Sequence, residues 1–371
     1  MVGHGVLFNN TFGAVVFNNN VTARGMFSLG VYFDSGYSAN VSYNRITTIG
    51  SSSDTVRFYS GSSNVVLANW VNVSSGSGAG VNIMGSNSNN VSGNNITAIG
   101  GFGMTVWAAN SNTLSYNSIY ATEGVRINGD SNNLSSSTIL SLALYGLQFY
   151  SAYGSLVRDV TISSGGNDIS VVGAGINNLT NCTFTKSDTG FDGAATGFIN
   201  VFWYADVHVI NNTGSDVANA SVNASNVNGN SSFNATTNAT GWIPQQTVQE
   251  YAQNITSVYN YTPHWVNASK TGLFSNNTAT AITTNAVVTL TLINGISVDA
   301  CQDLSTAGMT YVLNQSVSSA GTCFNITANN VTLDCDGYTI NYSGSGVGYG
   351  VNVTGVNYSV VKNCVINQTS T

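Results

Sequence analysis

Charge is what this sequence has least of. Asp, Glu, Lys and Arg make up 6% of its 371 residues, where an ordinary soluble domain has about a quarter. Eight Lys and Arg stand against 15 Asp and Glu, for a net charge of −7, so no basic stripe exists to meet a phosphate backbone and nucleic-acid partners are excluded. Long apolar runs are missing too. The best, Ile139 to Tyr150, is broken by Ser141 and Gly146 and falls short of the roughly 18 residues of a membrane span. Helical periodicity appears nowhere, and the three His lie far apart at His4, His208 and His264.

What is present is apolar or neutral-polar. Hydrophobic residues make up 42% of the chain, enough for a sizeable core spread over two or three domains. Asn alone is about one residue in seven, and it occurs among regularly spaced Val, Ile, Leu, Phe and Tyr, as in a repeat whose turns demand Asn. About two dozen Asn-x-Ser/Thr sequons occur. Chance accounts for part of them in so Asn-rich a chain, and the excess points to an extracellular or cell-surface protein solvated by N-linked glycans. Glycosylation candidates are Asn40, Asn72, Asn90, Asn133, Asn219, Asn223, Asn230, Asn234, Asn238, Asn254, Asn260 and Asn267. No basic segment followed by an apolar one comes after Met1, so this secreted composition reads as a section of a larger protein.

One pattern recurs along the first half: apolar, two residues, Asn, one residue, apolar. It runs as Val16-Asn19-Val21, Val41-Asn44-Ile46, Val66-Asn69-Val71, Val91-Asn94-Ile96 and Leu114-Asn117-Ile119, then more weakly through Ser137, Val160 and Cys182. The spacings of this slot are 25, 25, 25, 23, 20, 23 and 22 residues. Upstream of most lies a second short alternating run: Gly5-Val6-Leu7-Phe8, Gly30-Val31-Tyr32-Phe33, Thr55-Val56-Arg57-Phe58, Gly80-Val81-Asn82-Ile83, Gly124-Val125-Arg126-Ile127, Gly146-Leu147-Gln148-Phe149 and Asp168-Ile169-Ser170-Val171. Alternation over so few residues is the signature of strands with one buried face. Coils of this length cannot form a core alone, but they stack so that each strand pairs with its equivalent one turn on. Asn19, Asn44, Asn69, Asn94 and Asn117 are then expected in one axial amide ladder at the strand repeat of roughly 4.8 Å.

These Gly-Val-x-Phe strands and Val-x-x-Asn-x-Ile turns resemble the right-handed parallel β-helix repeats of pectate-lyase-like and NosD-like proteins and of archaeal surface-layer-type proteins. The resemblance covers about residues 1–197 and implies eight or so stacked coils; it specifies architecture and leaves function open. From Phe198 the period stops, and short alternating strands over 198–295 fit a β-sandwich. The run Gly214-Ser215-Asp216-Val217-Ala218-Asn219-Ala220-Ser221-Val222 is similar to the opening of carboxypeptidase-regulatory-like (transthyretin-like) domains, with Asp216 and Asn219 where the family has Pro and Gly. Over 296–371, Cys323 through Ile340 look like the cap and first coil that begin a new β-helix in archaeal surface proteins, and Val361-Lys362-Asn363-Cys364-Val365-Ile366 repeats the ladder motif with Cys in the Asn slot. Four clustered Cys most simply form two disulfides, Cys301–Cys323 and Cys335–Cys364; zinc is the rival reading, without the Cys-x-x-Cys or paired His it would use.

The fold class read from the sequence is therefore all-β, a right-handed parallel β-helix followed by a β-sandwich and the disulfide-capped start of a second β-helix. Polysaccharide chemistry on such a scaffold would need two carboxylates across a groove, or clustered acidic calcium ligands with a basic residue. The solenoid's acidic residues fall at differing coil positions without forming a row, so no catalytic residues are assigned and no cofactor is expected; calcium has no supporting motif. The reading is a non-enzymatic structural protein of a surface or filament, assembling head-to-tail with copies of itself or with adjacent repeats of a longer chain. The alternative is a carbohydrate-binding or polysaccharide-cleaving β-helix. For that alternative, Tyr32, Arg57, Tyr59, Arg126 and Tyr150 share an outward strip suited to sugars.

Overall fold

Alternation of Val, Ile and Phe with small polar residues gives strands, most of them three to seven residues long with a few continuous through a corner, as Asn95–Trp107 is, and the strands of the first solenoid pair in parallel with their equivalents in the next coil. A computed structural model describes residues 3–74 and 76–369. Each coil carries three strands, as in Val31–Asp34, Asn40–Ser42 and Arg45–Ile49. In the first row, Val6, Val31, Val56, Val81, Met104, Val125, Leu147, Ile169 and Thr189 stand in register through nine strands. A second row stacks Val16, Val41, Val66, Val91, Leu114, Leu134, Val157, Leu179 and Val201. The third stacks Val21, Ile46, Val71, Ile96, Ile119, Ile139 and Ile162.

These three rows enclose the core. Val31, Phe33, Val41, Ile46, Val91 and Leu114 are wholly buried, and each such side chain contributes about 1.5–3 kcal/mol of transfer free energy. Phe33 stacks between Phe8 at 4.9 Å and Phe58 at 5.0 Å. Gly opens the first strand of most coils because a Cβ has no room there. At Gly124 it would lie 1.9 Å from the Gly146 carbonyl oxygen and 2.7 Å from Ile139. The first strand of one coil is absent from the sequence reading, Gly103-Met104-Thr105-Val106, although the same coil's turn, Leu114-Asn117-Ile119, was read. Met104 takes the usual Val position, and the register to the next coil shifts between Ala98 and Phe102, which hides the repeat.

The chain divides into two compact units. The first comprises Met1–Tyr204 with Thr247–Thr262 and Ile282–Asn285. Within it Glu250, 7% exposed, takes both carboxylate oxygens to Lys186 Nζ at 2.7 Å and accepts the Trp203 indole N–H at 2.6 Å. A buried charge needs a partner of this kind to avoid a desolvation cost of several kcal/mol.

The second unit comprises Ala205–Gln246, Pro263–Ala281 and Ala286–Thr371. Its strands Ser231–Thr236, Ser221–Ser225, His264–Lys270 and Leu273–Thr280 form an antiparallel sheet in that order, while Ala205–Asn211 runs parallel to Ala286–Leu292. Alternate residues Val207, Val209, Val222, Ala224, Val266, Ala268, Val288 and Leu290 are buried. Gly295–Val298 then pairs in parallel with Thr310–Leu313 and opens a second set of coils, with Tyr311, Leu333 and Val361 in register. Disulfides join Cys301 to Cys323 and Cys335 to Cys364, with Cα separations of 4.5 and 4.8 Å. Cys323 and Cys335 lie in the core of these coils, with Val298, Phe324, Leu333 and Ile340.

Candidate functional site

Buried amides run along the first solenoid. The backbone N–H of Asn19 donates to Asn44 Oδ1, Asn44 to Asn69, Asn69 to Asn94 and Asn94 to Asn117, at 2.8–3.0 Å, and Asn117 N–H donates to Ser137 Oγ at 3.1 Å. Each Asn also returns its amide N–H to backbone carbonyls; Asn69 reaches Val41 and Leu67. Asn44, Asn69 and Asn94 thus use both their Oδ1 and their Nδ2 within the protein. A second ladder at the preceding corner, Asn64, Asn89, Asn112 and Asn132, repeats the arrangement at 2.8–3.0 Å and went unread in the sequence. Its signal was available, an Asn two residues before Val66, Val91, Leu114 and Leu134. Cys182 closes the first ladder as a buried thiol whose pKa is pushed up to about 12 by burial, opposed by hydrogen bonding to backbone and reinforced by the Asp159 charge.

The outward positions of the first strand row are Tyr32, Arg57, Asn82, Thr105, Arg126, Gln148 and Ser170, and the positions two further on are Asp34, Tyr59, Met84, Trp107, Asn128 and Tyr150. A groove of about 250 Å³ opens on this face, lined by Asp54, Arg57, Asn82, Met84, Phe102, Thr105, Trp107 and Arg126 among others. Two of the five strip residues, Arg57 and Arg126, meet there. Tyr32 lies one strand before Arg57, ring edge toward His4 at 5.4 Å, with its pKa raised by burial and by Asp34. Tyr59 and Tyr150 flank the groove at 44% and 37% exposure.

Ion pairing fixes the two guanidinium groups. Asp54, 3% exposed, accepts the Ala79 N–H at 2.7 Å, Asn82 Nδ2 at 2.7 Å and Arg57 Nε at 2.6 Å. Arg126 donates to Gln148 Oε1 at 2.7 Å and to the Tyr145 hydroxyl, which in turn donates to Glu123. Its guanidinium lies over the Phe102 ring, 4.4 Å from the centroid, a cation–π geometry. Burial and the bond to Glu123 push the Tyr145 pKa far above its ordinary value. Asn82 and Gln148, outward in the strand alternation, are 8% and 6% exposed. Asn82 Oδ1 and Thr105 Oγ1 are buried without a hydrogen-bond partner. Phe102, Thr105 and Trp107 belong to the one first-row strand absent from the sequence reading.

The sequon Asn residues take varied positions. Asn90, Asn219, Asn223, Asn230, Asn234, Asn238 and Asn260 are exposed, whereas Asn40, Asn72, Asn133, Asn254 and Asn267 are half-buried.

The fold and disulfides define a parallel β-helix protein with the chemistry of an oxidising compartment. Residues 1–155 match the model of the family described as "Periplasmic copper-binding protein (NosD)". No curated protein matches the chain. Among solved structures, a trypsin-treated variant of QnrB1, a plasmid-mediated fluoroquinolone resistance protein, is similar at 11% identity and a TM-score of 0.18 over 49% of this chain and 92% of that one, a likeness that assigns nothing. No helix among the described residues is long and apolar enough to cross a membrane. Among the described residues no three His, Cys, Asp or Glu converge, and His208 and His264 are bonded to Asp216 and Ser232.

Proposed function

We propose that this chain is a non-enzymatic, N-glycosylated structural protein of a cell surface or extracellular filament. The observation that carries the reading is the investment of polar side chains in stacking. Two axial Asn ladders and two inter-coil disulfides lock the coils, and the carboxylates nearest the groove, Asp54 and Glu123, are engaged by Arg57 at 2.5 Å and Arg126 at 3.8 Å. Carboxylates so neutralised are poorly placed to act as acid and base. Exposed sequon Asn residues support glycosylation, and the NosD family's periplasmic description agrees with export. Self-association of coils belongs to the same proposal, since parallel strands in register pair equally well with copies of themselves.

Incubated with a panel of polysaccharides, the protein is expected to release neither reducing ends nor unsaturated products. Native-source material should weigh more than the 38.6 kDa polypeptide and scatter light as assemblies. Product release would remove the non-enzymatic reading, a bare mass the glycans, and a strict monomer the self-association. The groove favours a second reading, carbohydrate binding, because it unites guanidinium donors with an aromatic floor.

A further inference from the structure

We infer that the groove between Arg57 and Arg126 binds one ring of a neutral, hydroxyl-rich saccharide, with Trp107 as its apolar platform. The inference rests on the carbohydrate-binding reading and adds the subsite and the class of sugar.

Size comes first. At about 250 Å³ the groove lies below the range of pockets that hold drug-sized ligands, about 300–1,000 Å³, and suits a single ring with its neighbours in solvent. Shape follows from the strand register. Arg57, Asn82, Thr105 and Arg126 occupy successive coils, so the groove runs along the solenoid axis. Trp107, 36% exposed, leans on Tyr150 with ring centroids 5.3 Å apart and planes at 42°, which widens one aromatic surface. The C–H face of a pyranose packs on such a surface, while its hydroxyls turn to the polar side.

Charge and hydrogen bonding select the class. Each guanidinium already has its carboxylate, Asp54 for Arg57 and Glu123 for Arg126, so the site offers little net positive charge, and a uronate or sulfate would meet the Asp54 carboxylate in the groove wall. Asn82 Oδ1 can only accept, and Thr105 Oγ1 beside it also lacks a partner. Buried polar atoms are seldom left so. Both atoms are closed to solvent in this conformation, so a shift of the Asn82 amide on binding brings Oδ1 to a sugar hydroxyl, the donor it lacks; a carboxylate or sulfate has no proton to give. Remaining guanidinium N–H groups of Arg57 are suited to a ring or hydroxyl oxygen.

Affinity electrophoresis of the full chain tests this in gels containing barley β-glucan, galactomannan, polygalacturonate or chondroitin sulfate. Retardation by a neutral polysaccharide is expected, weakened about tenfold in Trp107→Ala, the loss of one stacking platform, and largely kept in Trp107→Tyr. Trp265→Ala, at an exposed Trp of the second unit, should migrate as the parent does. Retardation by the polyanions alone overturns the neutral class. Retardation equal in the parent and Trp107→Ala overturns the groove and leaves carbohydrate binding standing. Retardation by none of the four overturns both.

Discussion

Asn69 shows what one side chain contributes to a solenoid. Its Oδ1 accepts the N–H of Asn44 at 2.9 Å, and its Nδ2 donates to Val41 O at 2.8 Å and to Asn94 Oδ1 at 3.0 Å. Asn69→Ala would strand the Asn44 N–H and the Val41 carbonyl in the interior, at about 1–3 kcal/mol for each unsatisfied group. Asn69→Ser should cost less, because a hydroxyl can accept from the coil below as Ser137 does from Asn117. Urea unfolding of the two variants is expected to rank them in that order. Equal midpoints would mean that the ladder carries no such energy. The Asn row was legible in the sequence because one apolar spacing brackets each member. The Asn64 to Asn132 row has an equally fixed interval, two residues before Val66, Val91, Leu114 and Leu134, but went unread because the doublets Asn89-Asn90 and Asn132-Asn133 hide which Asn points inward.

At the scale of elements, the antiparallel sheet of the second unit places three sequons side by side. Asn223 pairs with Asn234 on one neighbour and with Asn267 on the other, and directly opposed Cβ atoms lie about 4.5–5.5 Å apart. A glycan on Asn223 therefore crowds one on either neighbour. The expected pattern in glycosylated material is that Asn223 is never occupied together with Asn234 or Asn267, and that Asn234→Gln with Asn267→Gln raises its occupancy. All three lie on one tryptic peptide, Ser187–Lys270, so fragmentation mass spectrometry reads their combinations directly. A peptide carrying sugar on Asn223 and Asn234 at once would exclude this crowding. The sequence displays each sequon, but antiparallel register alone decides which of them are neighbours.

For the whole molecule, stability is divided between units with different devices, so unfolding is not a single all-or-none event. The first solenoid depends on its core and ladders. The second set of coils adds disulfides that close spans of 22 and 29 residues, each contributing about 3–4 kcal/mol by the loop-entropy model. Reducing agent is accordingly expected to lower the unfolding midpoint of the second unit while hydrogen exchange at Val31, Val41 and Ile46 stays slow. Loss of protection in both units together would contradict a division of stability along these lines.

The sequence by itself determined the parallel β-helix, because a repeat of 20 to 25 residues with alternating apolar positions can bury its strands only against the next copy of itself. It displayed the Cys cluster, the sequons and the first Asn ladder for the same reason: each is a matter of residue type at a fixed interval. Tertiary structure decided the groove. Arg57, Asn82, Thr105 and Arg126 are far apart along the chain and adjacent only through strand register, and the strand carrying Thr105 and Trp107 is hidden where Met104 replaces Val and the register shifts. Tertiary structure also placed Thr247–Thr262 in the first unit, through the buried pairing of Glu250 with Lys186 and Trp203. Contacts over such separations leave no period in the sequence; they follow from the free energy of satisfying a buried carboxylate.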